Sequence, residues 1–255
     1  MLSVEEAKKL IVKSTDRLKP VQQEISKSLN QILSDDVISP INYPPFDQSA
    51  MDGFAIFHSD ILEKKEIEII GEAPAGNPYK EKVSSGQSVR IFTGAKVPEG
   101  ADAVIIQEKV SIGNGKIISE DTGILKGANI REKGSQIKKG EVVLRKGTVL
   151  NAGAIGFLAS LGITSVNVFA KPKVSIIVTG NELQKPGLPL VNGQVYESNS
   201  FALKSALESI NISTVNIFAI GDDEKITKET LASAIHDSDV VLVSGGISVV
   251  TELSG

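Results

Sequence analysis

The sequence predicts a multidomain α/β protein: an N-terminal mixed region interrupted by an inserted β domain, followed by a doubly wound α/β domain. Three observations carry this. Residues 3–14 repeat at helical spacing, residues 41–137 break into short apolar runs punctuated by glycine and proline, and from Lys173 onward strand-like runs alternate with helical ones. The expected boundaries are 1–40 plus 138–170 for the N-terminal region, 41–137 for the insert and 171–255 for the α/β domain.

Ser3-Val4-Glu5-Glu6 is an S-x-x-E capping box, and Val4, Ala7, Leu10 and Ile11 follow on one face, so an amphipathic helix is expected over 3–14. Residues 20–38 are compatible with a strand, a short helical turn and another strand. In the insert, residues 54–57, 65–70, 88–92, 103–108 and 110–118 read as strands, the last a hairpin turning at Gly113-Asn114-Gly115. Gly71-Glu72-Ala73-Pro74-Ala75-Gly76 is a conspicuous loop that needs no ligand to explain its glycines. Residues 138–150 read as a strand pair. Asn151 is placed to cap a helix over 152–161 that Gly162 closes. Val174-Ser175-Ile176-Ile177-Val178 has the continuous apolar character of a parallel strand buried on both faces. A helix over 198–210 with Ser198 or Asn199 at its cap, a strand over 215–220, a helix over 223–236 and a strand over 239–244 complete the alternation. In such sheets ligands sit beyond the carboxyl ends of the strands. The loops of interest are therefore Thr179-Gly180-Asn181-Glu182-Leu183, Gly221-Asp222-Asp223 and Ser244-Gly245-Gly246-Ile247-Ser248.

The totals exclude several classes of function. With 27 Lys plus Arg against 31 Asp plus Glu and no basic stripe, nucleic acid is not an expected partner. No apolar run is long enough for a membrane span and no secretory signal pattern opens the chain, so a cytoplasmic location is expected. The absence of cysteine removes disulfides, thiolate metal sites and cysteine nucleophiles together. The two histidines, His58 and His236, stand at no metal-ligand spacing and read as surface residues.

The densest stretch is Pro44-Pro45-Phe46-Asp47-Gln48-Ser49-Ala50-Met51-Asp52-Gly53-Phe54-Ala55. Its prolines stiffen an extended lead-in, and Asp52-Gly53 reads as a turn or a close backbone approach. Two readings are open: a stiffened entry to a strand in which Asp47 and Asp52 cap local amides, or a loop that positions charge for chemistry.

Phe46 to Ala55 resembles the signature F-D-x-S-A-M-D-G-[YF]-A of the molybdopterin molybdenumtransferases, the MoeA family, related to the E domain of gephyrin. Arg90-Ile91-Phe92-Thr93-Gly94-Ala95 and Val97-Pro98-Glu99-Gly100-Ala101-Asp102-Ala103-Val104 are similar to the family's R-I-x-T-G-A-x-[VL]-P-x-G-A-D-A-V. The three loops of the α/β domain look like its T-G-[DN]-E-L, acid-pair and S-G-G-[VI]-S-V blocks. Asn129-Ile130-Arg131 through Gly134-Ser135-Gln136-Ile137 resembles N-[IV]-R-x-x-G-x-D-[IV], with Gln136 in place of the usual aspartate.

The resemblance implies a transferase that inserts molybdate into adenylated molybdopterin with release of AMP, assisted by Mg²⁺. It implies Asp52, Thr93 and Glu182 as catalytic residues, with Asp52 and Glu182 also serving the metal. Ser49, Gly94, Gly180, Asn181, Ser244, Gly245, Gly246 and Ser248 would line the pterin and nucleotide pocket. A homodimer is implied too, with the N-terminal region as its linker and dimerisation part. After Ser248-Val249 the family pattern continues with G-x-x-D and a long further segment, whereas Val250 to Gly255 follow here, with Leu253 at the aspartate's place. On that comparison the α/β domain is expected to be incomplete and the chain truncated, frameshifted or a fragment. The alternatives to a working transferase are a molybdopterin-binding or scaffold remnant without turnover and a fragment unable to hold its fold.

Overall fold

A computed structural model describes residues 2–63, 66–121 and 123–245. The chain forms two compact units, one of residues 1–35, 146–156 and 164–255, the other of residues 36–145 and 157–163.

In the first unit the opening helix runs Val4–Ser14 with its capping box complete: Ser3 accepts from the Glu6 amide, and Glu6 reaches back to the Ser3 amide at 2.8 Å. None of its residues is buried, and Leu10 and Ile11 face solvent. Pro20–Glu24 is a strand antiparallel to Ser165–Phe169, followed by a helical turn at Ile25–Lys27. The expected strand pair over 138–150 is shorter than the sequence suggests. Val142–Leu144, which belongs to the second unit, is a strand, while Val149 makes a single bridge to Ile32. Gly140 and Gly147, at φ of 93° and 85°, turn the chain before and after that strand. The helix Ala152–Ser160 starts under the Asn151 side chain, which accepts from the Ala154 amide at 2.8 Å.

The α/β part of this unit is a three-stranded parallel sheet with Val174–Thr179 in the centre, Val215–Ile220 on one side and Val240–Ser244 on the other. All six residues of the central strand are buried, as its unbroken apolar run requires. Val174, Ile176 and Val178 pack on one face against Leu203 and Leu207 of the helix Asn199–Ser209. On the other face the Ser175 hydroxyl lies 2.6 Å from that of Ser238, just after the helix Glu224–Asp237. The chain leaves the central strand for one neighbour and then crosses to the other, so the winding reverses between Val174–Thr179 and Val240–Ser244.

The second unit is built on a six-stranded mixed sheet in the order Ala103–Ile106, Gly53–Ile56, Gln87–Ile91, Ile67–Ala73, Lys116–Ser119, Val110–Gly113. The hairpin turns where expected, with Asn114 and Gly115 both at positive φ. Gly53–Ile56 is buried along its whole length. Phe54 and Ile56 enter a core with Ile61, Ile67, Ile105 and Ile117, while Ala55 enters a second core with Val89, Ile91 and Val104. The expected loop over 71–76 is strand as far as Ala73 and turns only after it, and its glycines have structural causes: the Tyr79 ring occupies the space a Cβ on Gly71 would take, and Gly76 turns at φ 84°.

Candidate active site

In the second unit the signature stretch is held by segments far along the chain rather than by its own neighbours. Gln48–Ser49 pairs antiparallel with Ile130–Arg131, bringing the Asn129-Ile130-Arg131 block alongside it. Ser49 donates its amide to the Ala95 carbonyl at 2.9 Å and accepts the Gly94 amide at 2.9 Å, which joins it to the Thr93-Gly94 turn. Asp47 accepts the Lys133 amide at 2.8 Å. Asp52 accepts both the amide and the hydroxyl of Thr93 on Oδ1, each at 2.7 Å. Among the described residues neither acid caps a local amide; each ties the loop to a segment 86 or 41 residues away.

Gly53 explains the next position. A Cβ there would overlap the Ile105 carbonyl oxygen and lie 2.9 Å from its carbon, because the strand is paired on both sides, to Ile91 and to Ile106. Asp52 is thus delivered to the surface by a strand end that only glycine permits. Its carboxyl is held below the ordinary aspartate range, first by the Thr93 amide and then by the Thr93 hydroxyl, with a smaller contribution from the charge of Arg90. Arg90 is itself placed over the Phe92 ring, 5.4 Å from its centre. The depressed value means that the ionised carboxylate favours the fold above the ordinary aspartate pKa of about 3.9, and that this contribution is lost as pH falls through the depressed value. In Thr93→Val the hydroxyl goes and the amide stays. The Asp52 titration midpoint, followed by carboxyl-carbon NMR, is expected to rise but to stay below the ordinary value; an unchanged midpoint would contradict the assigned cause.

Ser49 is fully buried and its hydroxyl donates to the Met51 carbonyl at 2.6 Å, so it acts on the shape of the loop. Gly94 turns at φ 84° with open space around it. Gln136 is exposed, and its backbone amide donates to the Tyr43 carbonyl. His58 is more structured than a surface residue: its amide and its Nδ1 both meet the Asp102 carboxylate at 2.8 Å, fixing the start of the short helix His58–Leu62.

In the first unit the predicted residues gather at the carboxyl ends of the parallel strands. The Glu182 carboxylate lies over Gly180, where a Cβ would come within 2.7 Å of it. Asn181 and Asp222 make reciprocal bonds, the Asn181 amide to Asp222 Oδ2 at 3.3 Å and the Asp222 amide to Asn181 Oδ1 at 3.1 Å. Gly245, at φ 102°, passes so close to Thr179 that a Cβ would sit 2.6 Å from its carbonyl oxygen and its hydroxyl. The Thr179 hydroxyl is buried without a hydrogen-bond partner among the described residues. Ser244 accepts the Asn199 side-chain amide at 2.7 Å. Gly246 and Ser248 lie outside the described residues. Asn199 went unassigned in the sequence because it presents itself only as a helix start.

Among the described residues no three acidic, histidine or cysteine side chains cluster as a ready metal cage. Asp52 nevertheless fits a hard cation: one carboxylate oxygen is engaged by Thr93, the group is ionised, and Mg²⁺ characteristically takes one or two carboxylates and completes its shell with water and substrate phosphates. No helix among the described residues is long and apolar enough to cross a membrane.

Residues 2–162 match the family described as MoeA N-terminal region (domain I and II). The chain belongs to the MoeA family. Residues 175–252 match the family described as probable molybdopterin binding domain, which corresponds to the α/β part carrying the strand-end loops. Among curated MoeA relatives, the molybdopterin molybdenumtransferase of Haemophilus influenzae is 40% identical over 233 residues, covering 90% of this chain and 58% of that protein. That of Staphylococcus epidermidis is 33% identical over 258 residues, covering 97% and 60%. The chain therefore spans about three fifths of these relatives. A solved MoeA protein of molybdopterin biosynthesis from Pyrococcus horikoshii OT3 shares 36% identity at a TM-score of 0.86, over 96% of this chain and 66% of that one. The MoeA fold is thus that of both matched regions, a mixed α/β protein with an inserted β sheet.

Proposed function

We propose that this chain builds the substrate site of a molybdopterin molybdenumtransferase and serves molybdenum cofactor biosynthesis by inserting molybdate into adenylated molybdopterin with release of AMP. The observation that carries the reading is the Asp52–Thr93 junction. Two motifs 41 residues apart join to present an ionised carboxylate and a hydroxyl at an exposed position. Supporting it, relatives covering 90–97% of the chain bear that name.

Asp52 in one unit and Glu182 in the other are the acids this reading assigns, and each with substrate phosphates would help hold Mg²⁺, which when bound neutralises phosphate charge. The Thr93 hydroxyl donates its one proton to Asp52 Oδ1 and so orients the carboxylate; it would serve as a donor to a substrate oxyanion only by rotating away from Asp52. Gly94 keeps that turn open, and Ser49 supports it from behind. Gly180, Asn181, Ser244 and Gly245 line the pterin and nucleotide pocket at the point where the winding of the sheet reverses, with Gly246 and Ser248 continuing it. The glycines let backbone approach a phosphate or a pterin edge where any Cβ would intrude.

The same reading carries a cytoplasmic homodimer, with residues 1–40 and 138–170 as linker and dimerisation region. A helix that buries none of its own residues supports it, since a second copy supplies the missing cover. It favours the transferase over a binding remnant because the signature, Thr93 and Glu182 are all in place. The test is direct: purified chain is supplied with adenylated molybdopterin, molybdate and Mg²⁺, and AMP is measured by chromatography. AMP release in step with molybdenum insertion is expected. Binding of adenylated molybdopterin without AMP release overturns the transferase reading.

A further inference from the structure

The pair Asn199 and Ser244 sits where the sheet reverses its winding. Ser244 ends the strand Val240–Ser244, Asn199 opens the helix Asn199–Ser209, and the Asn199 Nδ2 donates to the Ser244 Oγ at 2.7 Å. A serine hydroxyl carries one proton and two acceptor lone pairs. When the oxygen accepts from an amide, its own proton is left to point elsewhere, and no acceptor for it occurs among the described hydrogen bonds. The crevice beyond the strand ends is where a ligand of this sheet lies. We infer that Asn199 is a positioning residue, which fixes the Ser244 hydroxyl as a hydrogen-bond donor to an oxyanion of the bound nucleotide or pterin phosphate. The inference rests on the pocket assigned under the proposed function.

Other elements leave Asn199 to this role. The helix start does not need its side chain, because the buried Glu197 carboxylate accepts the Ser200 amide at 2.7 Å and the Ser200 hydroxyl at 2.5 Å. The neighbouring Asn181 is engaged with Asp222. Asn199 is therefore the side chain that sets the direction of the Ser244 proton.

The polarity of this bond makes the proposal testable. Asn199→Asp has the same shape but cannot donate; its carboxylate takes the Ser244 proton and turns the hydroxyl into an acceptor toward the crevice. Binding of AMP to the purified chain, measured by calorimetry, is expected to weaken by roughly tenfold or more in Asn199→Asp, the range for a lost hydrogen bond to a charged group. Asn199→Ala, which frees the hydroxyl without reversing it, is expected to lose only severalfold. In a Ser244→Ala background, Asn199→Asp is expected to lose clearly less than it does with Ser244 present, because only the repulsion of its charge remains. Melting temperatures of all variants check that the fold is intact. Equal losses with and without Ser244, or an Asn199→Asp as tight as the parent, overturn the inference while leaving the pocket standing. Failure of the parent chain to bind AMP at all overturns the pocket itself, and the inference with it.

Discussion

Gly53→Ala is expected to destabilise the second unit by about 3 kcal/mol or more, among the larger effects a single methyl group produces. The cause is local and backbone in kind. The added Cβ overlaps the Ile105 carbonyl oxygen, and two further atoms of the neighbouring strand, the Ile105 carbon and the Ile106 Cα, stand at 2.9 and 3.0 Å. A flexible side chain would move aside; a strand paired to Gly53 in the middle of the sheet moves only by breaking its ladder. Relief in the other direction is blocked by the pairing of Gly53 with Ile91. For a chain of this length the melting midpoint, followed by circular dichroism, is expected to fall by roughly 10 °C. Gly113→Ala is the matched comparison, since a Cβ there meets nothing within 4 Å, and it is expected to melt within a degree or two of the parent. Equal midpoints for the two variants would show that the close approach at Gly53 is not what the position requires. Because Asp52 precedes Gly53, the same substitution is expected to disturb the Asp52–Thr93 junction even in the fraction that stays folded.

The elements whose signals are local were legible in the sequence. The S-x-x-E box gave the opening helix, Asn114-Gly115 the hairpin, and the unbroken run from Val174 to Val178 the buried central strand. The family resemblance also pointed to the Asp52 and Thr93 blocks, which the structure joins by two hydrogen bonds. What was hidden is long-range pairing. Nothing in Gln48-Ser49 announces Ile130-Arg131 as its partner, since a two-residue strand has no periodicity to read, and the reading of Asp52 and Asp47 as local caps stayed open beside the chemical one because their true donors are dozens of residues away. The helix His58–Leu62 is too short to show a face, and Leu183–Gln184 with Val195–Tyr196 pair in parallel as two-residue strands that no pattern marks. At the helix Asn199–Ser209, where Ser198 or Asn199 was expected as the cap, Ser198 stands at the cap position without a capping side-chain bond. The helix start is held instead by the adjacent Glu197, buried by packing, whose carboxylate accepts the Ser200 amide and hydroxyl in compensation for its lost hydration. Tertiary burial chose the cap, and propensity alone cannot report burial.

On the proposed function, Asp52→Asn is expected to lower AMP release by roughly 10²-fold or more, the scale seen when a group that stabilises developing charge is removed. Its melting temperature is expected to move little, because Asp52 is exposed and exposed charge pairs contribute weakly to stability. The asymmetry follows from geometry. The amide of Asn offers one acceptor oxygen, which still takes the Thr93 amide and hydroxyl, so the junction keeps its shape while the negative charge needed by a divalent cation disappears. Thr93→Val removes the hydroxyl and leaves the charge, and a smaller loss, roughly tenfold, is expected. In the double variant the losses are expected not to add, since both residues act on one oxygen. The pH dependence separates the roles further. With the Asp52 carboxyl held below the ordinary range of about 3.9, its ionisation does not limit AMP release from pH 8 down to about 5. A loss of activity tracking the protonation of Asp52 at pH 5 to 6, or an Asp52→Asn that releases AMP at the parent rate, would remove this carboxylate from the reaction and leave it a loop fastening only.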